Sequence, residues 1–286
     1  MGSFDHKAVY MLVYLKMQRV IFTDLDGTLL DPITYSYHQA VGAVELLRRG
    51  KIPLVFCSAK TRAEQEVYRR ELGINNPFIV ENGGAIYIPE NYFSFPFEHH
   101  KITQGYIVIE LGTPYGQIRE ALKRIERETG ITIKGFGDMS AEEIAKDSGL
   151  SLEFASLAKQ REYSETFKIE GDKQRQNLAL NKIKEVGLNY TQGGRYRGAM
   201  KGNDKGKATR ILTRLFRQEF GDVETIGIGD SQNDLPMLAA VDIPVLVQKP
   251  NKLWEEIDLA NVRKVPGVGP EGWKKTIEDL IEGWKR

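Results

Sequence analysis

Apolar residues along this chain fall into two rhythms. Short β-branched and aromatic runs, Val20-Ile21-Phe22, Ile52 to Cys57 and Pro77 to Val80, each stop abruptly at polar residues, as buried strands do. Between the first two, Ala40, Val44 and Leu47 recur at i, i+4 and i+7, and Gly50 follows as a stop signal, which predicts an amphipathic helix. Thr61 and Glu64 have the spacing of a capping box and open a second helix. Strands alternating with helices in this way predict an α/β fold built on a Rossmann-like, doubly wound parallel sheet. Ala85 to Ile88 reads as a hairpin partner of Pro77 to Val80 across Glu81-Asn82-Gly83-Gly84, where Asn-Gly is a turn signal.

From about residue 88 the pattern changes. An irregular aromatic stretch, Tyr92 to Phe97, precedes a strand at Tyr106 to Leu111, a helix from Tyr115 to Glu128 and a strand at Ile131 to Phe136. Ser140 with Glu143 caps another helix, followed by a helix around Leu152 to Arg161, a strand at Glu165 to Ile169, a helix from Lys173 to Val186 and strands near Tyr190 and Tyr196. This predicts an inserted α+β cap over residues 88–198, with the core in 17–87 and 199–286 and an N-terminal extension over 1–16. A helix opening near Lys205 and ending at Phe220, then a strand from Thr225 to Ile228, brings the core back.

Composition narrows the partners. The chain has 286 residues, and its 40 basic and 39 acidic side chains leave a formal charge of +1, so no electrostatic case exists for a nucleic-acid or membrane partner. One cysteine, Cys57, excludes an intramolecular disulfide framework and fits a reducing, cytoplasmic setting. No apolar run approaches the roughly 18 residues of a membrane span. Nor does the stretch Ala8 to Leu15 have the length or cleavage site of a signal peptide.

The candidate chemistry sits where strands end. Asp24 and Asp26 follow Val20 to Thr23, and the turn at Gly27 lets two carboxylates converge on one volume. Two such groups repel unless a cation or proton lies between them, so a divalent metal is expected. One carboxylate can then serve as nucleophile and the other can shuttle a proton. Ser58 ends the next strand beside Lys60, Thr61 and Arg62 and suits a phosphoryl group; a turn former is the plainer reading of Ser58, and solvated helix-start charges that of Lys60 and Arg62. Glu81 and Asn82 either form the turn or face a substrate hydroxyl. Lys205, with Lys201 and Lys207 as alternatives, can neutralise developing charge. Asp230 offers a further carboxylate for the metal, while Asn233 and Asp234 either orient that shell or cap a helix. In the cap, the run Arg161-Glu162-Tyr163-Ser164-Glu165 and the glycine-flanked Arg195 and Arg197 offer guanidinium forks and hydroxyls for a carboxylate or sugar; solvated surface is the plainer reading, and Arg195 and Arg197 are the stronger candidates.

Four segments in order, Asp24-Leu25-Asp26-Gly27-Thr28-Leu29, Ser58-Ala59-Lys60-Thr61-Arg62, Asn203-Asp204-Lys205-Gly206-Lys207 and Gly229-Asp230-Ser231-Gln232-Asn233-Asp234, resemble the four motifs of the haloacid dehalogenase superfamily of phosphotransferases. The resemblance extends to a large cap after the third strand. It implies Asp24 as nucleophile, Asp26 as general acid and base, Ser58 and Lys205 on the phosphoryl group, and Mg²⁺ held at Asp24, Asp26 and Asp230. It further implies a phosphatase acting on a small phosphorylated sugar acid, with Lys60, Thr61, Arg62, Glu81, Asn82, Arg195 and Arg197 as candidate substrate contacts. A phosphatase of the same fold acting on another sugar phosphate, such as sucrose-6-phosphate, a sugar phosphomutase of that fold and a non-catalytic sugar-phosphate sensor are the alternatives.

Overall fold

The strand Gln18–Thr23 is fully buried from Val20 onward, as a strand covered on both faces must be. In the computed structural model, which describes residues 18–192 and 196–284, it lies inside a five-stranded sheet. The sheet order is Arg263–Val268, Ile243–Gln248, Val223–Gly229, Gln18–Thr23, Leu54–Phe56. Every neighbouring pair is parallel, with Thr23 opposite Ile228 on one side and Phe56 on the other. The chain runs outward from Gln18–Thr23 to Leu54–Phe56, then returns to the opposite side at Val223–Gly229. A reversal of that kind opens a crevice at the carboxyl ends of the two strands, where ligands of doubly wound sheets bind.

This sheet belongs to a compact unit whose described residues are 18–57, 90–97 and 209–284. The predicted helix appears as Val41–Arg49, burying Ala43, Val44 and Leu47. The helix Pro270–Trp284 packs Trp273, Ile277 and Leu280 inward. Within the aromatic stretch Phe93 meets Phe216 edge-on, with ring centroids 5.4 Å apart, and the Ser94 hydroxyl donates to Glu219 at 2.9 Å.

The described residues of 58–89 and 98–208 form a second unit. It holds two antiparallel sheets. One runs Phe78–Val80, Ala85–Pro89, Tyr106–Glu110, Lys101–Thr103, and the other Ile133–Gly135, Ser164–Ile169, Arg197–Met200, Asn189–Gln192. Ile118, Leu122 and Ile125 project at i, i+4 and i+7 from the helix Tyr115–Thr129 into a core with Phe167, Ala179 and Ile183.

The hairpin across residues 81–84 forms as expected, pairing Val80 with Ala85. The expected divide at residue 88 is displaced, however. Ala85–Pro89 bonds on to Tyr106–Glu110, so the hairpin is carried into the antiparallel sheet of the second unit. Residues 1–16, read as an extension, lie outside the described residues. Among the described residues no helix is long and apolar enough to cross a membrane.

Candidate active site

Asp24 is the first residue beyond its strand, and its N–H donates to the Ile228 carbonyl at 2.9 Å, so the ladder holds it from the neighbouring strand. The chain then closes on itself: Leu30 N–H reaches the Leu25 carbonyl at 2.8 Å and Gly27 N–H the Leu30 carbonyl at 3.0 Å. Gly27 has φ +82°, and a Cβ there would sit 2.8 Å from Asp230 Oδ2. Both facts demand glycine. Thr28 donates its hydroxyl to Asp230 Oδ1 at 3.2 Å. Asp230 itself follows the strand Val223–Gly229, on the other side of the crevice described above.

The loop that carries Asp230 is clamped by Asp234. Its Oδ2 accepts from the backbone N–H of Asp230 at 3.0 Å and of Ser231 at 3.1 Å, and from the Ser231 hydroxyl at 3.2 Å. Asp24, Asp230 and Asp234, with exposures of 6%, 9% and 0%, each bring a carboxylate oxygen within 4.8 Å of the others. Of the expected metal set, Asp24 and Asp230 stand in this cluster, and its third carboxylate is Asp234. Asp26 lies in the Leu25–Leu30 turn, bridged to Leu30, and its side chain is not part of the cluster. Asn233 sits half-buried in the short turn Gln232–Asp234.

Three carboxylates this close and this buried repel one another until a cation or protons intervene. An all-oxygen donor set suits a hard divalent ion, so these residues fit Mg²⁺. Gly27→Ala should shift Asp230 and strain the turn by about 1–2 kcal/mol. The expected result is a much smaller rise in melting temperature on adding Mg²⁺ than the parent protein shows, read by thermal denaturation with and without the ion.

The second motif and the turn after Val80 are sewn together in the other unit. Ser58 is 1% exposed and its N–H donates to the Ile79 carbonyl at 3.2 Å. Asn82 N–H reaches the Ser58 carbonyl at 2.9 Å, and Glu81 N–H the Lys60 carbonyl at 3.1 Å. Glu81, Asn82 and Gly83 follow one another at φ +48°, +60° and +89°, a left-handed run that only tight surroundings maintain. A Cβ on Gly83 would strike the Asp204 carbonyl at 2.3 Å, so this turn abuts the start of the helix Lys205–Phe220. Asp204 caps that helix, accepting from Gly206 N–H at 2.7 Å, and Lys205 is 2% exposed.

Several expected substrate contacts are committed elsewhere. Glu81 is fully buried and faces protein rather than a substrate hydroxyl: Oε1 accepts from Glu162 N–H at 2.7 Å, and Oε2 from Tyr163 N–H at 3.0 Å and the Ser164 hydroxyl at 2.6 Å. Burial pushes its carboxyl upward while Arg161, Ser164 and the two backbone donors pull it down. Lys60, 5% exposed, pairs with Glu64 at 3.4 Å. Thr61 forms the expected capping box with Glu64 and donates its hydroxyl to the Leu157 carbonyl at 3.0 Å. Arg62 pairs with Glu66 at 2.9 Å and Glu162 at 3.5 Å. Arg197 donates to Gln176 at 3.4 Å, and Arg195 lies outside the described residues.

Arg161, which the sequence offers in the run Arg161 to Glu165 as a candidate fork for substrate, is engaged with the protein itself. Its guanidinium donates to the Ala59 carbonyl at 2.8 Å and to Ser164 Oγ at 2.9 Å, and lies 3.7 Å from Glu81. In sequence it stands in an Arg-Glu run of the kind that usually faces solvent, and only the fold reveals its partners.

Known proteins resemble this chain in sequence and in fold. Residues 21–107 match the model of the haloacid dehalogenase-like hydrolases. The chain is 52% identical over 266 residues to a protein of Methanococcoides burtonii named glucosyl-3-phosphoglycerate/mannosyl-3-phosphoglycerate phosphatase, covering 93% of this chain and 98% of that one. It is 44% identical to the mannosyl-3-phosphoglycerate phosphatase of Pyrococcus furiosus, over 81% of this chain and 91% of the relative. Among solved structures, a Thermoplasma acidophilum protein superposes with a TM-score of 0.62 at 18% identity, covering 94% of this chain and 99% of that one. A sugar phosphatase described as haloacid dehalogenase subclass IIB superposes with a TM-score of 0.60 at 16% identity, with the same coverage of both chains. The structures share the fold, while the sequence identity along nearly the whole chain shows descent: this chain belongs to the haloacid dehalogenase-like hydrolases.

Proposed function

We propose that this chain is a Mg²⁺-dependent phosphatase of glycosyl-3-phosphoglycerates, releasing phosphate from the mannosyl and the glucosyl compound to leave mannosylglycerate or glucosylglycerate, in cytoplasmic compatible-solute synthesis. The observation that carries this reading is the 52% identity, over 93% of the chain, to a relative named for both substrates. The buried cluster Asp24, Asp230 and Asp234 supports it chemically.

In this reading Asp24 is the nucleophile: its carboxylate attacks phosphorus in line and an aspartyl phosphate forms as the glycerate oxygen leaves. Asp26 donates a proton to that oxygen and afterwards takes one from the water that hydrolyses the acyl phosphate. Asp230, fixed by Thr28 and by the Asp234 clamp, would hold the cation together with Asp24. When bound, Mg²⁺ offsets carboxylate repulsion and draws charge from the phosphoryl oxygens. Ser58 and Lys205 are assigned to those oxygens on the likeness of their motifs to the family's.

The test is phosphate release, with and without Mg²⁺, on mannosyl-3-phosphoglycerate, glucosyl-3-phosphoglycerate, sucrose-6-phosphate and mannose phosphates. Metal-dependent turnover of the first two is expected; turnover confined to other members would discard the substrate assignment. Asp26→Ala should lower kcat by about 10²–10⁴-fold, the usual contribution of a positioned acid and base. A leaving group that needs no protonation, such as p-nitrophenolate, should show a smaller loss.

A further inference from the structure

We propose that Trp273 and Thr23 are positioning residues that hold the backbone of Asp24 in its reactive orientation. The inference rests on Asp24 being the nucleophile, as argued above.

Trp273 lies at the start of the helix Pro270–Trp284, its N–H bonded to the Gly269 carbonyl at 3.0 Å, and its side chain is 0% exposed. A buried indole N–H needs an acceptor. It finds Thr23 Oγ1 at 3.0 Å, across 250 residues of chain. Thr23 is equally buried, and its hydroxyl donates to the Asp24 carbonyl at 2.7 Å.

The direction of this relay is fixed by donor count. The indole can only donate, so the hydroxyl accepts from it and turns its single proton to the Asp24 carbonyl. That carbonyl lies just past the last paired residues of the strand, Thr23 and Ile228. The Asp24 N–H is held by the Ile228 carbonyl, and the relay supplies the matching restraint on the following peptide. With both peptides pinned, the Cα–Cβ bond of Asp24 has one direction. In-line attack tolerates little misplacement, so a distant tryptophan gains leverage on the rate.

The experiment compares Thr23→Val, Thr23→Ser, Trp273→Phe and the Val/Phe double variant in steady-state phosphate release, with melting temperatures measured in parallel and Asp24→Asn as reference. Thr23→Val should lower kcat by about 10–100-fold with KM within about twofold, because geometry and not ground-state binding is lost. Thr23→Ser, which keeps the hydroxyl, should restore most of the rate. Trp273→Phe should lower kcat in the same sense, and the double variant should fall no further than Thr23→Val, since both cut one link. Lower melting temperatures with unchanged kcat, or equal loss in Thr23→Ser and Thr23→Val, would overturn the proposal. If Thr23→Val does not fold, Trp273→Phe decides by the same criterion. Turnover persisting in Asp24→Asn would instead defeat the nucleophile assignment, which separates the two failures.

Discussion

Asp24→Asn should abolish phosphate release, by about 10⁴-fold or more, the scale seen when a nucleophile is deleted from a catalytic unit. The same substitution should raise the melting temperature of protein stripped of divalent ions. Both effects follow from the cluster. Asp24 is 6% exposed and stands within 4.8 Å of carboxylate oxygens of Asp230 and Asp234. An amide in its place removes one of three mutually repelling charges, relieving the fold by about 1 kcal/mol or more, since groups at this depth are poorly screened. It also removes a donor for the cation, so the stabilisation gained on adding Mg²⁺, which grows with ligand concentration relative to Kd, should shrink. A kinetic assay with and without the ion, paired with thermal denaturation under both conditions, reads all three. A variant that loses activity but keeps the parent's full Mg²⁺-induced stabilisation would show that Asp24 does not hold the metal.

Much of this was legible in the residues because the local signals agreed with the global fold. Val20-Ile21-Phe22 ending at Asp24, the capping box at Thr61 and Glu64, and the turn at Asn82-Gly83 are short-range features, and each appears where the pattern places it. Polar side chains with alternative partners were less legible. Glu81 and Asp26 both follow apolar strands and both read as candidates for the site. The first is consumed by the N–H groups of Glu162 and Tyr163, eighty residues onward, while the second has its backbone in the turn to Leu30 and its side chain outside the cluster of Asp24, Asp230 and Asp234. Asp234 was legible as a neighbour of the metal set, but its three donors depend on the backbone path of Asp230-Ser231. Among the described residues the strand Lys101–Thr103 pairs only with Tyr106–Glu110, and it carries no distinctive run of its own. The placement of Phe78–Val80 escaped for a related reason. The hairpin with Ala85–Pro89 was legible, but a short buried run does not declare which sheet it will join, and here the pairing of Ala85–Pro89 with Tyr106–Glu110 determined it.

Glu81→Ala and Arg161→Met should each destabilise the protein by about 3–5 kcal/mol, the cost of leaving one member of a buried ion pair uncompensated. The side chains are 0% and 7% exposed and 3.7 Å apart, so water cannot readily replace the missing partner. Glu81→Ala also strands the N–H groups of Glu162 and Tyr163, and Arg161→Met releases the Ala59 carbonyl. The double variant should lose less than the sum of the two, because neither charge remains to be left alone. Chemical denaturation of the four proteins gives the coupling energy directly. A strictly additive result would mean that the two charges act independently and that the turn is held by its backbone bonds alone. The consequence for activity follows from what the pair braces. Arg161 bonds the residue next to Ser58, and Glu81 belongs to the left-handed turn that abuts Asp204 and Lys205. At temperatures where the single variants remain folded, a loosened Ser58 loop should therefore raise KM for the phosphorylated substrate and weaken product inhibition by inorganic phosphate. An Arg161→Lys variant, which keeps the charge but not the fork that reaches both Ala59 and Ser164, should recover stability more fully than it recovers KM.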